Sequence, residues 1–255
     1  MDEATAPATT GTLLGGRVRF AQPASGYRAA IDPVLLAASV PCSAPGALEL
    51  GAGAGAAALC LATRCPGMTI HAVEIDPALA ALARRNAADN GVADRLTVSV
   101  ADIAAVGPDA LGRFDAVLFN PPYLLAHGAS PSPDPGKRRA DIEAPGGLGA
   151  WIAAARRMLH PRGQLRLIHR ADRLHDILAL LAPRFGDIVV LPLWPRAGLP
   201  ARRILVGARL GARGGSRLTA GLVLHGPDGA FSPEAEAVLR QGAGLDAAFG
   251  RRGGG

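Results

Sequence analysis

The run Asn120-Pro121-Pro122-Tyr123 follows an apolar segment, Phe114–Phe119. Two adjacent prolines fix φ and remove two backbone donors, so the carbonyls of Asn120 and Pro121 have no local competitor and can face outward. An amino group attached to an sp² carbon is a poor nucleophile, because its lone pair is delocalised into the ring or carbonyl. The Asn120 side-chain oxygen and the Pro121 carbonyl would hold its two N–H bonds and shift the nitrogen toward tetrahedral geometry. The lone pair would then aim at an electrophilic methyl group, in a displacement driven by proximity and orientation. Tyr123 offers a stacking face for an extruded base. Asn120, Pro121, Pro122 and Tyr123 are the expected catalytic set.

A second group of residues describes the donor side. Ala47–Leu50 runs into Gly51-Ala52-Gly53-Ala54-Gly55 with Glu49 just before it. Glycines there permit a tight strand-to-helix turn and a close approach of ligand to backbone. The spacing is not that of a dinucleotide loop, and Glu49 would repel a pyrophosphate while suiting a cationic amine or sulfonium. Glu74 closes the next apolar run, where a carboxylate can accept from both ribose hydroxyls of a nucleoside. Asp102 follows the third run and either accepts from an adenine amino group or caps the next turn. Asp76-Pro77 reads as a helix cap. Three acids after three successive runs, around one glycine turn, define a single expected pocket.

The elements that must position these groups alternate short apolar runs with Ala/Leu-rich helical stretches, as in an α/β domain with a mainly parallel sheet. The expected strands are Ala47–Leu50, Thr69–Glu74, Leu96–Val100, Phe114–Phe119, Gln164–Ile168, Asp187–Leu193 and Arg203–Leu210. The last two are joined by Pro195–Pro200, too short for a helix, and should form an antiparallel hairpin at one edge. Helices are expected near Asp32–Ser39 and over Trp151–Leu159 and Asp172–Leu181. The spacing predicts one domain over 13–250, with a cap at 13–45, a substrate loop at 124–147, and flexible tails at 1–12 and 251–255.

Composition bounds the rest. The 255 residues are 49% hydrophobic and only 4% aromatic, which gives a core of small and aliphatic side chains and excludes global disorder. No run approaches the roughly 20 apolar residues of a membrane helix, and residues 1–12 lack the basic start of a secretory signal. A cytoplasmic protein with buried thiols at Cys42, Cys60 and Cys65 is expected, with no metal site, since His127, His160, His169 and His225 lack metal spacing. The 27 basic residues, 26 of them arginine, exceed the 21 acidic ones. That excess fits an anionic partner such as nucleic acid, and equally a G+C-rich genome. Lys137-Arg138-Arg139 lies just after Tyr123, where phosphate contacts would position a nucleic acid, and Arg156, Arg157 and Arg162 would extend the patch.

The glycine turn with its three acids resembles the class I S-adenosylmethionine-dependent methyltransferases over roughly Gly15 to Leu210. That resemblance implies a Rossmann-like fold, S-adenosylmethionine as cofactor, and cofactor contacts at Glu49, Gly51, Gly53, Glu74, Asp102 and Asn120. The tetrad resembles that of amino methyltransferases acting on adenine N6, cytosine N4 or a glutamine amide. Gly26-Tyr27-Arg28-Ala29-Ala30-Ile31-Asp32-Pro33, Arg138-Arg139-Ala140, Leu159-His160-Pro161-Arg162-Gly163, Leu222–His225 and Phe231–Ala235 resemble the bacterial tRNA1(Val) adenine N6-methyltransferase family. In that family Arg28 and Asp32 would lie over the methionine part of the cofactor. The implied partner is RNA, most simply tRNA, met through Tyr123, Lys137, Arg138 and Arg139 by a monomer or homodimer. Glutamine N5 methylation of a protein, and RNA binding without catalysis, are the alternatives.

Overall fold

The computed structural model describes residues 8–24, 30–122 and 147–250. It opens with a two-stranded antiparallel ribbon, β1 (Ala8–Leu13) on β2 (Val18–Pro23). The sequence reading puts residues up to 12 in a tail; from Ala8 onward they belong to this ribbon. Thr9, Thr10 and Thr12 are β-branched and favour extended backbone, and Gly15 and Gly16 turn the chain at φ 63° and 95°.

The main sheet carries the site. Helix α1 (Asp32–Ala38) precedes β3 (Gly46–Leu50), which feeds α2 (Ala56–Arg64). Then come β4 (Thr69–Glu74), α3 (Pro77–Asp89), β5 (Leu96–Val100), α4 (Pro108–Leu111) and β6 (Phe114–Phe119). Helix α5 (Gly147–Met158) runs into β7 (Leu159–Arg170), and α6 (Leu174–Leu181) into β8 (Phe185–Arg196). Strand β9 (Arg203–Leu210), the short β10 (Ser216–Leu218) and β11 (Leu222–His225), and α7 (Pro233–Leu239) follow, and a 3-10 turn at Asp246–Phe249 ends the described elements. The strand order is β10-β8-β9-β7-β6-β3-β4-β5, with β11 also on β8. β3 to β7 are parallel, and β9 is antiparallel to both β7 and β8, which gives the expected terminal hairpin. The seven expected strands are present; β10 and β11 add two short ones outside them.

Side chains alternate across the strands and split the core in two. Ala47, Ala72, Ala116 and Leu118 face the layer of α1, α2, α3 and α7; Leu48, Leu50, Val117 and Phe119 face α5 and α6. Alanines on both α2 and the strands beneath it let that helix lie close to the sheet. α3 starts as expected, with Asp76 Oδ1 accepting from the N–H groups of Ala78 and Leu79 and Pro77 at its first position.

One expectation fails at the cysteines. Cys42 and Cys65 form a disulfide, Cα–Cα 5.1 Å, instead of standing as thiols. Packing of α1 on α2 brings the loop after one helix to the end of the other, a juxtaposition that 23 residues of separation do not reveal. Cys60 is a buried free thiol. Closing a loop of this size is worth about 3 kcal/mol. Cys42→Ser with Cys65→Ser should lower the melting temperature by roughly 10 °C in non-reducing buffer, and a strong reductant should do the same to the wild type. Calorimetry with and without reductant checks this.

Candidate active site

Strand register assembles the site. Leu50 is paired with Val73 on one side and Phe119 on the other, and Glu74 with Val100. The carboxyl ends of β5, β4, β3 and β6 therefore present Val100, Glu74, Gly51 and Asn120 in one row. Asp102 lies two residues beyond Val100. This is the edge at which open α/β sheets bind ligands.

The glycine turn is held from below and open above. Gly51, Gly53 and Gly55 all have positive φ. A Cβ on Gly51 would run into the ring of Trp151, whereas one on Gly53 would meet nothing within 4 Å. Trp151 is buried between this turn and Phe119, whose ring centroid is 5.8 Å away. It is a site neighbour that the sequence reading treats only as part of a helix stripe; no local signal marks it.

Glu74 is 7% exposed and already engaged by backbone: Oε2 accepts from Gly53 N–H at 2.7 Å and Oε1 from Asp76 N–H at 3.0 Å. A carboxylate accepts about four hydrogen bonds, so one position per oxygen remains, the number that two vicinal hydroxyls require. Ile75 and Val100 beside it are 63% and 44% exposed, an apolar lip next to a carboxylate. Sequence reasoning passed over both, although an apolar residue between Glu74 and Asp76 was the available signal. Asp102 is exposed, and its Oδ1 accepts from Ala104 N–H at 2.8 Å, so it caps its turn. Asp32 is bound by Arg203 at 3.2 Å, which ties the start of α1 to the start of β9. An open glycine turn, a carboxylate with two free positions and an apolar lip fit a nucleoside.

Glu49 lies deeper. It is 4% exposed, and its Oε2 accepts from Ala58 N–H at 2.8 Å, within the first turn of α2. Burial pushes its carboxyl up to about 8, against the pull of the Ala58 N–H; the nearby Glu74 adds to the rise. The folded state thus holds the neutral acid. The stability this brings is fully present below the ordinary value of 4.5, and is lost as pH rises through about 8. In the absence of a cationic ligand, the wild type should lose melting temperature between pH 5 and 8.5. Glu49→Gln, which keeps an acceptor for Ala58, should flatten that loss. Melting curves of both proteins across this range test it.

Asn120 is half-buried and Pro121 buried at the end of β6. Tyr123, Arg28, Lys137, Arg138 and Arg139 lie outside the described residues, as do the loop at 124–146 and the tail at 251–255. Two arginines expected to extend the phosphate patch do other work. Arg157 donates to the carbonyls of Ile103, Ala104 and Val106. Arg162 sits near the start of β7, at the opposite edge of the sheet, and reaches Gly211 O. Arg156 is at the end of α5, which runs away from the site edge. Among the described residues no cluster of His, Cys, Asp and Glu could hold a metal ion, and no helix is long and apolar enough to cross a membrane.

The methyltransferase small domain matches residues 32–132. A tRNA1(Val) (adenine(37)-N6)-methyltransferase of Porphyromonas gingivalis is 33% identical over 198 residues, 73% of this chain and 75% of that protein. A release factor glutamine methyltransferase of Chlorobaculum tepidum is 33% identical over 155 residues, 58% of this chain and 53% of that protein. Among solved structures, a protein described as a predicted O-methyltransferase, Atu636 from Agrobacterium tumefaciens, superposes with a TM-score of 0.69 at 29% identity, covering 84% of this chain and 97% of that one.

Proposed function

The chain belongs to the family of the tRNA1(Val) (adenine(37)-N6)-methyltransferases, enzymes of the class I methyltransferase fold that use S-adenosylmethionine, and from this premise we propose that it methylates the N6 amino group of an adenine in tRNA. The observation that carries the reading is the row of strand ends, with Asn120 directly beside the glycine turn and Glu74 one strand further on. Glu74 would hold the ribose hydroxyls, the lip at Ile75 and Val100 would flank the adenine of the cofactor, and Asp102 would border it. Asp32, Gly51 and Gly53 would line the rest of the cofactor. The cofactor supplies a methyl group activated on a sulfonium.

On the acceptor side, the Asn120 side-chain oxygen and the Pro121 carbonyl accept the two N–H bonds of the target amine. Pro121 and Pro122 keep both acceptors from turning back into the backbone. Orientation is the main contribution, and effective molarities of 10⁵ M or more are the scale of what it yields. The cytoplasm, where tRNA is found, is the matching location.

Incubation with tritiated S-adenosylmethionine and either unmodified tRNA or a protein extract tests the reading. Label in tRNA, recovered as N6-methyladenosine by nucleoside mass spectrometry, is the expected result. Label confined to a protein glutamine would replace the reading with the alternative that the shorter match to the release factor enzyme represents.

A further inference from the structure

The carboxyl edge of the sheet is divided by charge. Glu74 and Asp102 occupy the half at β4 and β5. The other half, where β7, β9, β8 and β11 meet the same edge, carries Arg170, Arg173, Arg196, Arg202 and Arg203. Three of these arginines have carboxylate partners: Arg170 with Asp172, Arg173 with Asp176, and Arg203 with Asp32. Among the described residues no carboxylate pairs with Arg196 or Arg202, and both are exposed.

These two arginines flank a cleft of about 370 Å³ lined by Pro195, Arg196, Leu199, Arg202, His225 and Gly229. One wall is held by local contacts. His225 stacks on Phe231 at 5.0 Å and has Nδ1 3.1 Å from the Pro195 carbonyl. Leu199 N–H donates to Arg196 O and closes the β8–β9 turn, leaving the Leu199 side chain 49% exposed. Gly229 leaves space beside the Arg196 guanidinium, which a Cβ there would approach at 3.7 Å. Asp228, on the same turn, is directed to the Ala230 N–H. Two arginines lining one cleft suit a singly charged tetrahedral oxyanion, and the exposed Leu199 suits the apolar face of an attached sugar or base.

We propose that this cleft binds a backbone phosphate of the RNA substrate, an inference that rests on the tRNA reading above. Its place in the fold sets how far along the RNA that phosphate lies from the target. Pairing through Leu167 and Val206 puts Val190 level with Phe119, so β8 runs five residues past the level of Asn120, about 16 Å. Laterally, Asn120 and Arg196 are three strand spacings apart, about 14 Å. The two offsets combine to about 21 Å, so a phosphate in the cleft belongs to a nucleotide a few positions along the RNA from the target, held while the target base reaches Asn120.

The test measures binding of an unmodified tRNA1(Val) transcript as a function of salt, with Arg196→Ala/Arg202→Ala and Arg196→Lys/Arg202→Lys beside the wild type. Calorimetric titration of S-adenosylmethionine and a melting curve accompany each protein. Loss of one phosphate contact should reduce the slope of log K against log[salt] by about 0.7–0.9 and weaken affinity roughly 10-fold at low salt. The lysine pair should keep the slope, and cofactor affinity should be unchanged in all three. Wild-type binding with an unaltered slope in the alanine pair overturns the cleft and leaves the tRNA reading standing. Failure of the wild type to bind or methylate tRNA overturns both.

Discussion

Asn120→Ala should reduce the single-turnover rate of methyl transfer by about 10²–10³-fold while S-adenosylmethionine affinity stays within roughly threefold of the wild type. The magnitude is that of removing one preorganised polar group from a reacting centre, about 3–4 kcal/mol. The proposed acceptor pair loses one member, so the amine is tethered by the Pro121 carbonyl alone and its lone pair is free to rotate back into conjugation. Asn120 is half-buried at the end of β6, so its truncation leaves the core intact. The melting temperature should stay within a few degrees. Asn120→Asp keeps a side-chain acceptor and should retain more activity than alanine. Rapid-quench measurement with labelled cofactor and tRNA decides the matter. Near-full transfer by the alanine variant would remove Asn120 from the mechanism.

The second large effect is expected on the donor side. Glu74→Gln should weaken S-adenosylmethionine binding by about 100-fold, or 2.7 kcal/mol. The wild-type carboxylate takes one backbone N–H on each oxygen, from Gly53 and Asp76. An amide has one oxygen and one NH₂, so one of those backbone donors would face another donor. The site is nearly buried, and an unsatisfied donor there costs about 1–3 kcal/mol. The same substitution removes an acceptor position from the ribose hydroxyls. The rate at saturating cofactor should change little, which separates this variant from Asn120→Ala. Titration calorimetry gives the affinity, and an unchanged value in a folded protein would exclude Glu74 from the cofactor site.

Strands β3 to β6 were legible almost to the residue, because each is a short apolar run bounded by glycine, proline or an acid. The start of α3 was legible for the same reason: Asp76-Pro77 is a local signal that tertiary packing did not override. Strand β7 was not read fully. Expected at Gln164, it begins at Leu159, and its pairing with β6 jumps from Phe114↔Leu159 to Ala116↔Gln164. A helix is expected to run to Leu159, whereas the strand has already begun there and bulges beyond it, with Arg162 at φ 68°. The β1–β2 ribbon was lost because threonine-rich, glycine-containing sequence looks like a tail until a partner strand covers it.

The site was legible as far as one residue per strand end. Each of Glu74, Gly51 and Asn120 follows its own apolar run, and parallel pairing does the rest. What lies between elements left no trace along the chain. The ring of Trp151 beneath Gly51, the disulfide of Cys42 with Cys65, and the pairing state of each arginine depend on residues far away in sequence. Arg157 and Arg196 are indistinguishable by type, yet one is consumed by three carbonyls and the other faces a cleft.

The contact of Trp151 with the glycine turn has a practical side. The chain contains two tryptophans, Trp151 and Trp194, and Trp194 lies on β8 with its Nε1 on the Ala220 carbonyl, away from the turn. With Trp194 replaced by phenylalanine, the emission of the protein comes from one indole packed against the backbone that would receive the cofactor. Occupancy of the turn can then be followed optically, without a label and without turnover, in the wild-type site and in every variant discussed above.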